Sequence, residues 1–580
     1  MSSEQKPVDQ SDHPMQVVFC WHMHQPEYRD LRNGEFQFPW TYLHALKDYV
    51  DMAAHLEQQG EARAVVNFAP VLLEQIADYV TQLDGFINDG GAIRDPLLAA
   101  LAEPVLPSEQ EQRMSLLRKC LRVNQKRVID RFPGYSRLAK MARALDRHPD
   151  VAMYASQQFF VDLVMWYHLG WIAETTRRNK PLVQQLQDKQ FGYTVHDRRE
   201  LLQLIYDEMR SILPRYRRLH ESGRVELAMS PYAHPMLPLL LDMESARDAL
   251  PNSDLPLVRH YPGGEERANA HLQRGLETFE EVFGMRPVGC WPSEGGVSQD
   301  TLRLLAEHGF AWCASGESVV RNSIEHGGEH HTHVDGHPCR HRVYRFGEQP
   351  VDCFFRDDGL SDLIGFTYAE WHADDAVNNL VHHLEQVANS CPDRRNCAVS
   401  IILDGENAWE YYPENAYHFL SNMYRAVAEH PALQMTTFRD FQQRREQPQR
   451  VNLPRVVAGS WVYGTFSTWV GDTDKNRGWD ILAEAKRHYD EVVASGRLDE
   501  ATLAKAEQQL SACEGSDWFW WFGDYNPAAA VNDFERLFRH HLSNLYQLLG
   551  VEPPVYLAQS FSQGSGAPSR GGVMRPGQAS

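Results

Sequence analysis

Ile401-Ile402-Leu403-Asp404-Gly405-Glu406-Asn407-Ala408-Trp409-Glu410 opens as an apolar run and ends abruptly in an acid, a glycine and a second acid. With Ala398 and Val399 ahead of it, the run reads as a buried strand. In barrel and open α/β folds, the C-terminal ends of parallel strands carry the side chains that meet substrate. Trp409, Tyr411 and Tyr412 follow at once, flat apolar faces beside the carboxylates. Asp404 is therefore a candidate half of a catalytic acid pair. A plain Asp-Gly turn after a strand would look the same locally. A distant partner has to decide between the two.

Three other strand signals carry an unusual polar group. Gln16 to Trp21 is a short apolar run leading into His22-Met23-His24-Gln25-Pro26, where the proline stops the ladder. The i, i+2 spacing puts both histidines on one side, as core residues, metal ligands or sugar-hydroxyl binders. Glu226 lies inside Arg224-Val225-Glu226-Leu227-Ala228-Met229, where an unpaired carboxylate would be costly, so it pairs with a neighbour or faces a polar cavity. Pro287 to Glu294 is a short strand ending in an acid, with Trp291 and two glycines around it. These four ends alternate with helices, which predicts a parallel barrel-like sheet with all four at one rim. Each alone is explicable as structure; together, with Trp291 and Trp409 beside two of them, they point to a site.

Between about 71 and 220 the period is helical, an excursion from the barrel. From 446 the character changes: a loop rich in Trp and polar residues, Thr465 to Asp472, precedes helices to Leu549. Ser511 to Pro527 holds Trp518, Trp520, Trp521 and Asp524, a dense aromatic patch. The expected organisation is a disordered lead (1–14), a barrel domain (15–445), an α-helical bundle domain completing the active site (446–559) and a disordered tail (560–580). The histidines His326, His330, His331, His333, His337 and His341 crowd a Gly-rich stretch that reads as a solvated loop.

A net charge of −21 argues against nucleic acid or an anionic membrane as partner. A mean hydropathy of −0.50 fits a globular chain. No run of about 18 apolar residues offers a membrane span. The first fifteen residues lack the apolar core of a secretory signal. Nine scattered cysteines suggest free thiols in a reducing compartment, so a cytoplasmic location is expected.

Two carboxylates flanking a sugar bond can run glycoside chemistry, and Glu406 could help raise the pKa of the acid. At this point a resemblance becomes specific. His22 to Pro26, Gly223 to Leu227, Trp291 to Gly295, Leu403 to Glu410 and Trp469-Val470-Gly471-Asp472 through Asn476 are similar, in this order, to the five motifs of glycoside hydrolase family 57. The resemblance implies an incomplete (β/α)7 TIM-like barrel followed by an α-helical bundle, and retaining cleavage of α-glucans with no metal or other cofactor. It implies Glu294 as nucleophile and Asp404 as general acid/base. It also implies His22, His24, Glu226, Trp291 and Glu406 as residues holding the sugar, with Trp409 beside them. Trp469, Asp472 and Asn476 would come from the bundle.

Around Glu294 and Asp404 the motifs most resemble amylopullulanase and α-amylase-like members. A 4-α-glucanotransferase or branching enzyme would use the same two carboxylates. A non-catalytic glucan-binding protein would need neither. A zinc-dependent α-mannosidase-type hydrolase needs a carboxylate next to its histidine pair, and here Gln25 and Pro26 follow.

Overall fold

The computed structural model describes residues 13–326 and 340–566. Of the lead and tail expected to be disordered, residues 1–12 and 567–580 lie outside these residues, as do His330, His331, His333 and His337. Residues 560–566, by contrast, are described and pack on the helical region, with the Phe561 amide donating to Glu535 Oε1 at 3.0 Å. The side chain of His326 is likewise outside the description.

Seven parallel strands form the barrel: β1 (Met15–Met23), β2 (Ala64–Phe68), β3 (Val225–Met229), β4 (Gly289–Cys290), β5 (Trp312–Gly316), β6 (Asp352–Arg356) and β7 (Ala398–Asp404). They pair in chain order, and β7 returns to β1 over seven residues, Gln16↔Ala398 through His22↔Asp404. One pairing, Ser400↔Arg356, closes β7 onto β6. All seven residues of β7 are buried. Strands covered on both faces read as unbroken apolar runs, which is why Val399-Ser400-Ile401-Ile402-Leu403 shows so little alternation. This is the (β/α)7 barrel that the alternation and the resemblance predict.

The helical excursion runs from Pro70–Asp89 to Val195–Glu221. The first of these helices has proline in its opening turn, and Thr194 and Asp197 box the start of the last. Val343–Phe346 lies antiparallel to β6, and Arg450–Leu453 adds to it in parallel. The sheet therefore still recruits chain beyond position 446. Helices Thr473–Ala494, Glu500–Cys513, Ser516–Trp521 and Ala528–Leu548 follow. Among the described residues no helix is long and apolar enough to cross a membrane.

The helical region is fastened to the barrel by a buried polar knot. The Glu514 carboxylate accepts hydrogen bonds from Tyr261 Oη (2.8 Å), Arg267 Nε (3.0 Å) and His271 Nε2 (2.8 Å). Glu514 and His271 are both sealed from solvent. A buried ion is tolerable only when its lone pairs are filled this way; removing one partner from such a pair costs roughly 3–5 kcal/mol. Immediately after it, Gly515 bridges to Pro235 and the Ser516 amide donates to His234 O at 2.8 Å.

Candidate active site

At the C-terminal rim a cavity of about 500 Å³ is lined by His22, His24, His234, Glu294, Asp404, Glu406 and Asp517, with Trp461 and Trp520 among its aromatic walls. Strand β1 delivers the first two histidines, the turn after β4 delivers Glu294, and β7 ends in Asp404. Gly405 separates the two acids because nothing larger fits. A Cβ there would stand 2.1 Å from the Met23 sulfur, and its amide donates to His22 O at 2.7 Å. The Asp-Gly-Glu stretch is thus a close approach of β7 to β1.

Glu294 sits in left-handed backbone, φ 61°. That conformation costs a non-glycine residue about 1–3 kcal/mol and persists only where surroundings impose it. The surroundings are visible. Ser516 Oγ donates to Oε1 at 2.7 Å, Trp461 Nε1 to Oε2 at 3.3 Å, and the Trp461 amide to the main-chain oxygen at 3.1 Å. His234, also at positive φ (58°), brings Nδ1 to 3.8 Å from Oε1.

Three imidazoles stack across the cavity floor. His24 and His234 have ring centroids 3.8 Å apart, and His22 and His234 5.0 Å. The hydrogen-bond network assigns their protons. Ser516 gives its own proton to Glu294, so His234 Nδ1–H must donate to Ser516 Oγ (2.9 Å). His24 Nε2–H donates to Asp517 (2.9 Å) and His22 Nδ1–H to Asn67 Oδ1 (2.6 Å). Burial lowers the pKa of His22 to about 3 and holds His234 well below the usual value. Both rings are neutral. His24 Nδ1 and His234 Nε2 are left buried with no partner, although both residues line the cavity.

All three acids that follow β4 and β7 are pushed up. For Glu294 burial is the main cause, with the charges of Asp517 and Asp404 adding, and the pKa reaches about 8. Burial raises Asp404, against a hydrogen bond from Asn407 Nδ2 to its Oδ2 (2.9 Å). Burial and then Asp404 hold Glu406 well above the carboxylate range. Glu406 accepts from the His24 amide and from Gln25 Nε2, each at 3.2 Å. Neighbouring carboxyls that cannot all ionise together are the arrangement from which acid and base roles arise.

His24, His234 and Asp517 offer three ligand atoms within 4.8 Å of one another. An imidazole binds a cation along its ring plane, but rings stacked at 3.8 Å and 20° aim their lone pairs side by side. His24 Nε2 is also already committed to Asp517. The set fits a sugar's hydroxyl groups better than an ion.

Glu226 requires a correction. The register Cys20↔Val65↔Glu226 sets it two residues below the level of His22, Asn67 and Ala228. It accepts from Trp312 Nε1 (2.7 Å) and the Arg439 amide (2.9 Å), at the opposite end of the barrel from the rim. Asp472 and Asn476 also lie outside the cavity wall, because their polar atoms are used locally. Asp472 caps helix Thr473–Ala494, and Asn476 Oδ1 accepts from the Gly471 amide (2.9 Å). Trp291, Trp409 and Trp469 are buried behind the surface they support. Trp291 packs edge-on against Trp461 and Trp409 against Trp21, while Trp469 meets Trp520 at a tilt.

The helical region contributes Ser516 and Asp517 instead, from the stretch read only as an aromatic patch. The overlooked signal was the one used elsewhere, an acid flanked by tryptophan. His234 had a signal too: it lies in the loop that follows β3 at the same rim.

A family model described as glycosyl hydrolase family 57 matches residues 18–454. No curated protein sequence matches. Among solved structures, a GH57 branching enzyme from Thermococcus kodakaraensis is 15% identical over 94% of this chain and 94% of its own, with a TM-score of 0.54. The α-amylase AmyC from Thermotoga maritima is 14% identical over 93% of each chain, with a TM-score of 0.55. A 4-α-glucanotransferase from Thermococcus litoralis is 13% identical over 92% of this chain and 60% of its own, with a TM-score of 0.50. At such identities the likeness speaks for the fold.

Proposed function

Since this chain belongs to glycosyl hydrolase family 57, we propose that it cleaves α-glucans through a covalent glycosyl-enzyme, with Glu294 as nucleophile and Asp404 as general acid/base. Glu294 attacks the anomeric carbon while Asp404 gives its proton to the departing oxygen. Asp404 then takes a proton from water as water releases the sugar from Glu294. The observation that carries this reading is the convergence of Glu294 and Asp404 in one cavity, with Glu294 held on its far side by Ser516 and Trp461.

The neutral rings of His22 and His234, with His24 and Glu406 beside them, line the space for the reacting glucose. Trp40, Tyr411, Trp461, Trp520 and Trp521 supply flat walls for sugar rings. Hydrolysis of α-1,4 and α-1,6 bonds in starch, glycogen or maltooligosaccharides is the activity we favour, as in an α-amylase or amylopullulanase. Product analysis on maltooligosaccharides, amylose and pullulan tests it. New reducing ends should appear with every bond broken, and maltotriose should appear from pullulan. Redistribution of chain lengths without new reducing ends would reject hydrolysis in favour of transfer, as in a 4-α-glucanotransferase or branching enzyme.

The pH profile carries a second expectation. Glu294 must be ionised to attack, and its pKa stands at about 8. The acidic limb of kcat/KM should therefore lie far above the ordinary carboxylate range. Asp517→Asn removes the second-largest cause of that rise and should move the limb to lower pH. An unmoved limb would mean that it does not report Glu294.

A further inference from the structure

At the end of the barrel opposite the site, a second cavity of about 620 Å³ opens beneath β1, β2 and β7. It is lined by Gln16 near the start of β1, by Arg63 just before β2 and by Arg394 and Arg395 just before β7. Arg444 and Arg445 complete a set of five guanidiniums, opposed by only two lining acids, Asp440 and Glu446. The excess of positive charge runs against a chain that carries −21 overall.

The two acids do little to neutralise it. Arg63 and Asp440 stand 3.9 Å apart and Arg395 and Glu446 3.4 Å, both pairs open to water. Exposed pairs of this kind contribute about 0–1 kcal/mol. Arg444 lies over the Phe441 ring at 4.3 Å, and its Nε is sealed from solvent with no hydrogen-bond partner. Burial lowers the pKa of this guanidinium, against the charges of Glu446 and Asp393. Arg445 stands exposed beside it with no ion pair among the described residues.

Guanidinium forks match phosphate oxygens two at a time. The volume suits a small ligand and excludes a nucleic-acid helix. We propose that this cavity binds a small phosphate-bearing metabolite, gripped through Arg444 and Arg445. The barrel strands separate it from the carboxylates, so its occupant does not compete with glucan.

The test is titration of the full chain with inorganic pyrophosphate and, in parallel, glucose 6-phosphate, at an ionic strength held constant with sodium chloride, following Tm. A saturable rise in Tm with both, absent with chloride alone, is expected. Arg445→Glu should raise the midpoint concentration at least tenfold while maltooligosaccharide turnover without added phosphate stays unchanged. Arg444→Gln should weaken binding likewise, and serves if the charge reversal harms the fold. No saturable rise, or midpoints unaltered in both variants, would overturn the proposal. So would saturation by pyrophosphate alone, which marks an inorganic ion rather than a metabolite.

Discussion

Glu294→Gln is expected to reduce turnover of α-glucan by about 10⁴-fold or more while leaving glucan binding intact. The substitution keeps the shape of a side chain enclosed by Ser516, Trp461 and His234 but removes the electron pair that forms the glycosyl bond. Stability should respond in the opposite direction. The carboxyl titrates near 4.5 in an unfolded chain and at about 8 in the fold. Between those values the folded state binds the extra proton, so stability falls as pH rises. The neutral amide has no such dependence. The Tm of Glu294→Gln relative to wild type should therefore climb from pH 4.5 to pH 8, read by thermal unfolding alongside a glucan-binding assay. Near-normal activity would remove Glu294 from the role of nucleophile. A Tm difference that is flat with pH would show that the fold does not raise the pKa of this carboxyl.

Asp404→Asn is expected to divide substrates by their leaving groups. A glucose hydroxyl departs poorly without a proton, so natural glucans should lose about 10²–10⁴-fold in rate. An aryl α-maltooside with an acidic phenol needs little help to leave, and its first step should be nearly unaffected. The second step still needs a base to activate water. The glycosyl-enzyme should accumulate, giving a burst of phenol equal to the enzyme present and then a slow steady state. Equal losses on both substrates, with no burst, would place the acid elsewhere.

Legibility followed the distance over which each residue's meaning is set. Asp404 and Glu294 were readable because each closes an apolar run, and the abrupt end of a barrel strand is itself the address of the rim. His22 and His24 were readable for the same reason. Glu226 shared their local look, yet its height depends on register against two other strands, which no local pattern encodes. Its charge turned out to be met by an indole and a main-chain amide at the far end. Asp472 failed differently: an acid after a glycine and before a helix is equally a cap, and here the cap prevailed. Ser516 and Asp517 were the hardest. Their partners lie 222 and 493 positions away, and only the docking of one helical region onto the barrel joins them.

That docking has a consequence in time. Synthesis proceeds from the N-terminus, and domains form as they emerge. Glu294 and Asp404 leave the ribosome well before Glu514, which seats the helical region, and before the serine and aspartate just after it. Until those arrive, the Glu294 carboxylate lacks its Ser516 donor and the His24 ring lacks its anchor. A nascent chain holding every barrel strand would thus have both carboxylates in place and the site unfinished. The centre is completed only when residues translated 112 positions after Asp404 (516 minus 404) have been made.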